Sequence, residues 1–131
     1  MSDEKVVVKP ELSDAITELC SSNSDITLIS LCTSDGFSIK AVSGAGVDTE
    51  ADKLAAMSST IGALSGSSAK QILNDEFSIA IVEAGSGNML FVSTSYLGTA
   101  CVLTLAAKSK MALATARYKT RELAALISNI R

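Results

Sequence analysis

Apolar residues recur at two different periods along this chain, and the alternation between them sets out its elements. After Pro10, Leu12, Ala15, Ile16 and Leu19 fall at i, i+3, i+4 and i+7, the stripe of a short amphipathic helix predicted over about Glu11–Ser21. Ile26–Thr33 is β-rich, Ser34-Asp35-Gly36 supplies turn chemistry, and Phe37, Ile39 and Ala41 alternate with Ser38 and Lys40, which predicts a β-hairpin. Beyond Ser43-Gly44-Ala45-Gly46, Asp48 and Thr49 are candidate N-caps, and Glu50 and Asp52 place negative charge in a first turn; a second helix is expected from about Thr49 to Leu73. Phe77, Ile79 and Ile81 alternating with Ser78, Ala80 and Val82 read as a third strand. Gly85-Ser86-Gly87-Asn88 reads as a turn into a fourth over Met89–Ser95, and Thr99–Ala106 as a fifth. Ser109–Ile130 contains no Gly or Pro and repeats Leu113, Ala116, Thr120, Leu123 and Ile127 at helical spacing, so it closes the chain as a helix. The order helix, two strands, helix, three strands, helix predicts an α/β chain of the α+β kind, with an antiparallel sheet joined by short links.

The second helix carries two stripes. Leu54, Met57, Ile61 and Leu64 form what is expected to be a core seam, whereas Ala55, Ser59, Gly62, Gly66 and Ala69 are small throughout. Each mid-helix glycine costs about 0.5–1 kcal/mol relative to alanine, and the serines lower helix propensity further, so something is expected to pack closely on this face. Two readings are open: a self-association surface in which two helix backbones approach closely, or a tight fit over the domain's own sheet.

A length of 131 residues bounds the chain to one core. The expected division is a flexible leader over 1–9 and a single domain over 10–131. The start lacks a basic, apolar signal segment, and no apolar run approaches the roughly 20 residues needed to span a bilayer. Cys20, Cys32 and Cys101 are scattered and read as small buried hydrophobes rather than a disulfide framework or a zinc site. Histidine is absent, which removes the usual general base and the commonest metal ligand. Ser67-Ser68-Ala69-Lys70 matches Ser-x-x-Lys by chance, lacking its companion motifs. Gly44-x-Gly46 and Gly85-x-Gly87 lack the remaining glycine of a dinucleotide fingerprint, and Asp35-Gly36 is hairpin chemistry. No catalytic residue, cofactor or metal ligand is expected.

The net charge is −3, yet Lys108, Lys110, Arg117, Lys119, Arg121 and Arg131 crowd the final segment, where Glu122 is the sole acid. A basic helix suits phosphates, anionic lipid or an acidic protein surface; the plain alternative is a solvated outer face. With no nucleic-acid motif and few aromatic residues for stacking, nucleic acid is not expected as a partner.

Three stretches together resemble the Roadblock / dynein-light-chain family. They are Ser34-Asp35-Gly36-Phe37-Ser38-Ile39-Lys40-Ala41, like its Asp-Gly-hydrophobic hairpin, Asp48–Met57, like its small-residue second helix, and Leu97-Gly98-Thr99-Ala100-Cys101-Val102-Leu103-Thr104-Leu105, like its final strand. The resemblance spans about Leu12 to Ile130 and is closest to the bacterial and archaeal type. It implies a five-stranded antiparallel sheet with packed helices, the profilin-like Roadblock architecture, in a cytoplasmic homodimer whose second helices lie antiparallel and whose third strands pair. It also implies binding to a small Ras-like GTPase or a GTPase-containing complex, as a regulator or scaffold without an active site. On that basis Ala55, Ser59, Gly62, Gly66, Ala69, Phe77, Ile79 and Ile81 are the expected dimer interface; Arg117 and Arg121 are the exposed candidates for partner contact, an arginine finger in trans being one route, which the family does not require. The alternative function is a passive adaptor that holds larger partners by two-fold symmetry, indifferent to nucleotide.

Overall fold

A computed structural model describes residues 6–44 and 50–131. Helix α1, Pro10–Ser22, opens with proline in its first turn, where the missing N–H costs nothing. It buries Leu12, Ile16 and Cys20, one residue per turn. Strands β1, Ile26–Thr33, and β2, Ser38–Ser43, form the expected hairpin, in which the Thr33 hydroxyl accepts from the Phe37 amide over 2.9 Å. Helix α2 runs over Ala51–Ser68, where a single helix to Leu73 was expected. From there the coil widens into a π turn over Ala69–Leu73, stopped by Asn74 in the left-handed region at φ 52°. The candidate caps Asp48 and Thr49 lie outside the described residues.

Strands β3, Ile79–Glu83, β4, Gly87–Tyr96, and β5, Thr99–Lys108, follow in hairpin succession. Leu97 and Gly98 both take positive φ, 50° and 82°, in the two-residue turn that joins β4 to β5. Helix α3 occupies Leu113–Ser128, shorter than Ser109–Ile130. Its expected first turn is used otherwise: β5 continues to Lys108, whose amide donates to the Asp25 carbonyl, and Met111 closes a turn back onto Lys108.

All pairings are antiparallel, in the order β2-β1-β5-β4-β3, so the ends of the β set come together in the middle of the sheet. Alternate residues of the strands serve two layers. On one face Ile29, Leu31, Leu90, Leu103 and Leu105 meet Leu12 and Ile16 of α1 and Leu123 and Ile127 of α3 in the main core. On the other, Cys32, Phe91 and Val102 lie with Ala55 beneath α2.

Within the leader, Val6, Val7 and Lys9 contact the domain. Val6 packs on the main core, and the fully buried Tyr96 accepts from the Lys9 amide over 2.9 Å and donates to the Val7 carbonyl. A buried phenol needs such partners for its hydroxyl. Residues 1–5 lie outside the described residues.

Candidate functional site

Helix α2 rests on its small side. Leu54, Ala55 and Ser58 are buried, the Cys32 thiol donates to the Ala55 carbonyl over 3.7 Å, and a Cβ on Gly62 would stand 2.9 Å from Cγ2 of Val102. Ala55 and Gly62, expected at a dimer interface, therefore face this chain's own sheet; Ala55 has no exposure at all. Their small size lets the helix axis approach the layer of Cys32, Phe91 and Val102. Ser59 lies on the same side, its hydroxyl 3.3 Å from where a Cβ of Gly36 would be. Gly66 is half-buried with nothing within 4 Å of an added Cβ, and Ala69 begins the π turn.

The expected core seam is corrected by the same seating. Leu54 is buried and Ile61 half-buried, but Met57 is 49% and Leu64 63% exposed. Successive helical residues turn by about 100°, so a face centred on Ala55, Ser58 and Gly62 carries Met57 and Leu64 about 130–150° round, to the outer flank of the helix. Beyond them Ile72 is 79% and Leu73 72% exposed on the π turn. Val82, two residues on from Ala80 and so on the α2 side of β3, is 46% exposed. These five residues were missed as surface residues; the spacing of Met57, Ile61 and Leu64 was visible, but it named a stripe without saying which stripe met the sheet.

Strand β3 is an edge of the sheet. The Ala84 amide donates to the Gly87 carbonyl over 2.8 Å, closing the β3–β4 turn. By alternation Ala80 and Val82 direct their backbone groups at β4, and Ile79, Ile81 and Glu83 direct theirs away from it. The side chains of Ile79 and Ile81 pack on the main core, and Phe77 is half-buried just before the strand. The exposed apolar residues of α2 and of the π turn thus lie on the same face of the sheet as Val82 of the open edge strand. Fully burying an aliphatic side chain contributes about 1.5–3 kcal/mol, so covering these five offsets much of the cost of association, about 4–15 kcal/mol.

Arg117 and Arg121 are both exposed on α3, and Arg121 donates to the hydroxyl of Ser78. Among the described residues no group of three or more Cys, Asp or Glu is placed to hold a metal, and no helix is long and apolar enough to cross a membrane. The cysteines are buried and free, and burial pushes the Cys32 and Cys101 thiols up to about 11. The arrangement offers surfaces for macromolecular contact.

No family model matches the sequence, and no curated protein matches it. Among solved structures, MglB of Myxococcus xanthus superimposes with a TM-score of 0.77 at 16% identity, over 91% of this chain and 93% of that one. The gliding protein mglB of Thermus thermophilus gives 0.81 at 12% identity, over 98% and 96%. A Roadblock/LC7 domain from Streptomyces avermitilis gives 0.71 at 21% identity, over 85% and 89%. Three helices on a five-stranded antiparallel sheet, matched along nearly the whole length of each of these proteins, give this chain the fold of the MglB and Roadblock/LC7 proteins.

Proposed function

We propose that this chain works in the cytoplasm as a non-catalytic homodimeric binding module that engages a small Ras-like GTPase, or a complex containing one, and biases its nucleotide state. The observation that carries this reading is the pairing of an exposed apolar α2 flank with the open edge of β3 on a Roadblock-type fold. In the dimer the outward backbone groups of Ile79 and Ile81 pair across the two-fold axis with Phe77 beside them. Met57 and Leu64 of the two α2 helices cover one another, while Gly66 and Ala69 permit close approach at the helix end. Neither Arg117 nor Arg121 is needed as a catalytic group.

Sedimentation of the wild-type chain and of Leu64→Glu tests the first half: a dimer is expected to become a folded monomer. Titration of the dimer with a Ras-like GTPase, loaded in turn with GDP and a non-hydrolysable GTP analogue, tests the second. Preference for one state is the expected result. Equal affinity for both would replace regulation with passive scaffolding, and no binding by the intact dimer would overturn the GTPase assignment.

A further inference from the structure

A second surface lies on the opposite face of the sheet from α2, where β4 outruns its neighbour. The β3–β4 register ends at Ile79↔Val92, yet β4 continues to Tyr96, paired on its inner side with β5 down to Tyr96↔Thr99. The hydrogen-bonded alternation that runs Ala84/Gly87, Val82/Met89, Ala80/Phe91 would next join Ser78 to Ser93. The ladder stops short of that pair. The Ser78 hydroxyl accepts a hydrogen bond from the Arg121 guanidinium on α3, and the lead-in Glu76–Ser78 forms one wall of an open groove of about 680 Å³. The other wall is Val92–Ser95, and Arg121, Ala124, Ala125 and Ser128 of α3 form the floor. Thr94 anchors the β4 wall by donating to the Ala124 carbonyl over 2.8 Å.

Unpaired strand backbone in a groove is the setting for strand addition. The outward amides and carbonyls of Ser93 and Ser95 have the spacing of one extended segment. Charge selects among such segments. Glu76 stands in the wall, but Arg121 is held in place by Ser78 with most of its N–H groups free, and Arg117 lies one turn away on the same helix. Among the described residues the sole ion pair is Lys53 with Glu50, far from this groove in sequence, so neither arginine is neutralised by a carboxylate. Glu122, the one acid of α3, accepts from Tyr118 over 3.2 Å.

We propose that this groove takes an extended acidic segment of a partner protein, which adds to the free edge of β4 at Ser93–Ser95 and sets its carboxylates against Arg121 and Arg117. Apart from Phe77, which borders both, the surface is separate from the α2 flank and the β3 edge, and the proposal stands whether or not the partner is a GTPase.

The probe is a capped peptide alternating Glu and Val, titrated into the isotopically labelled full chain and followed by amide chemical shifts. The expected result is that the Ser93 and Ser95 amides move and become protected from exchange. Arg121→Glu, an exposed substitution that leaves the thermal transition in place, is expected to abolish binding. A peptide N-methylated on alternate residues, which cannot complete the ladder, is expected to bind at least about tenfold more weakly. Equal affinity for the N-methylated peptide, equal affinity for the Lys-for-Glu analogue, shifts confined to α2 or β3, or no shift at millimolar peptide would each overturn the proposal.

Discussion

Gly62 of α2 lies over Val102 of β5 so closely that an added Cβ would sit 2.9 Å from a valine methyl. Val102 is 3% exposed and β-branched, so it has little room to yield. Overpacking of a core costs about 1–3 kcal/mol, against a helix-propensity gain of about 0.5–1 kcal/mol. Gly62→Ala is therefore expected to lower stability by about 1 kcal/mol, and Gly62→Leu by more, in urea titrations. Gly66→Ala, which meets nothing within 4 Å in the single chain, is expected to gain about 0.5–1 kcal/mol under conditions where the chain is monomeric. A stabilising Gly62→Ala would show that α2 does not rest on β5 as described.

Beneath α2 lies a small polar layer. Thr104 donates to the Ser58 hydroxyl over 2.8 Å with both residues buried, whereas the buried Ser30 hydroxyl, directly across the β1–β5 ladder from Thr104, has no partner. An unsatisfied buried group costs about 1–3 kcal/mol. Ser30→Ala is expected to raise the unfolding free energy by about 1 kcal/mol and Thr104→Val to lower it by a similar amount. Measuring both in one denaturant series checks the pair, and opposite signs are the outcome to look for.

Tyr96 ties the leader to the end of β4 through one hydroxyl that serves both Val7 and Lys9. Tyr96→Phe keeps the ring in the core and removes both bonds. A loss of about 1–2 kcal/mol is expected, together with faster amide exchange over residues 6–9. Unchanged exchange there would mean that Val6 packing alone holds the segment.

Burial raises the Cys32 and Cys101 thiols from the ordinary 9 to about 11, and a Cys32 thiolate would add repulsion at Cys101. Between those values the unfolded chain holds fewer protons than the folded one. Stability is therefore intact below about pH 9 and falls as pH rises toward 11, by about 1.4 kcal/mol per pH unit for each thiol. The double variant Cys32→Ala, Cys101→Ala is expected to flatten this part of the pH–stability curve whatever its absolute stability. The native thiols are expected to resist alkylation at neutral pH and to react once urea unfolds the chain.

Element order and type were legible because the periods of apolar residues differ between helix and strand: β1 was read as Ile26–Thr33, the observed span. Boundaries drifted where tertiary contacts compete for a segment. The lead-in Phe77–Ser78 reads as strand by alternation, yet the β3–β4 register ends at Ile79 and the Ser78 hydroxyl accepts from Arg121 of α3. Ser109–Met111 reads as helix by composition, yet β5 and a turn claim the approach to it.

The sequence by itself determined the Asp-Gly hairpin, the two stripes of α2, the buried cysteines and the cations of α3, because each is a matter of residue type at local spacing. Only the tertiary structure decided which α2 stripe met the sheet, that β1 lies beside β5, and that β4 outruns β3 next to Arg121. Those outcomes depend on how closely one layer approaches another and on pairings between residues tens of positions apart. A helix with a small face and a larger apolar face can be seated either way by its own pattern; the bulk of Val102 and Phe91 beneath it selects the small one.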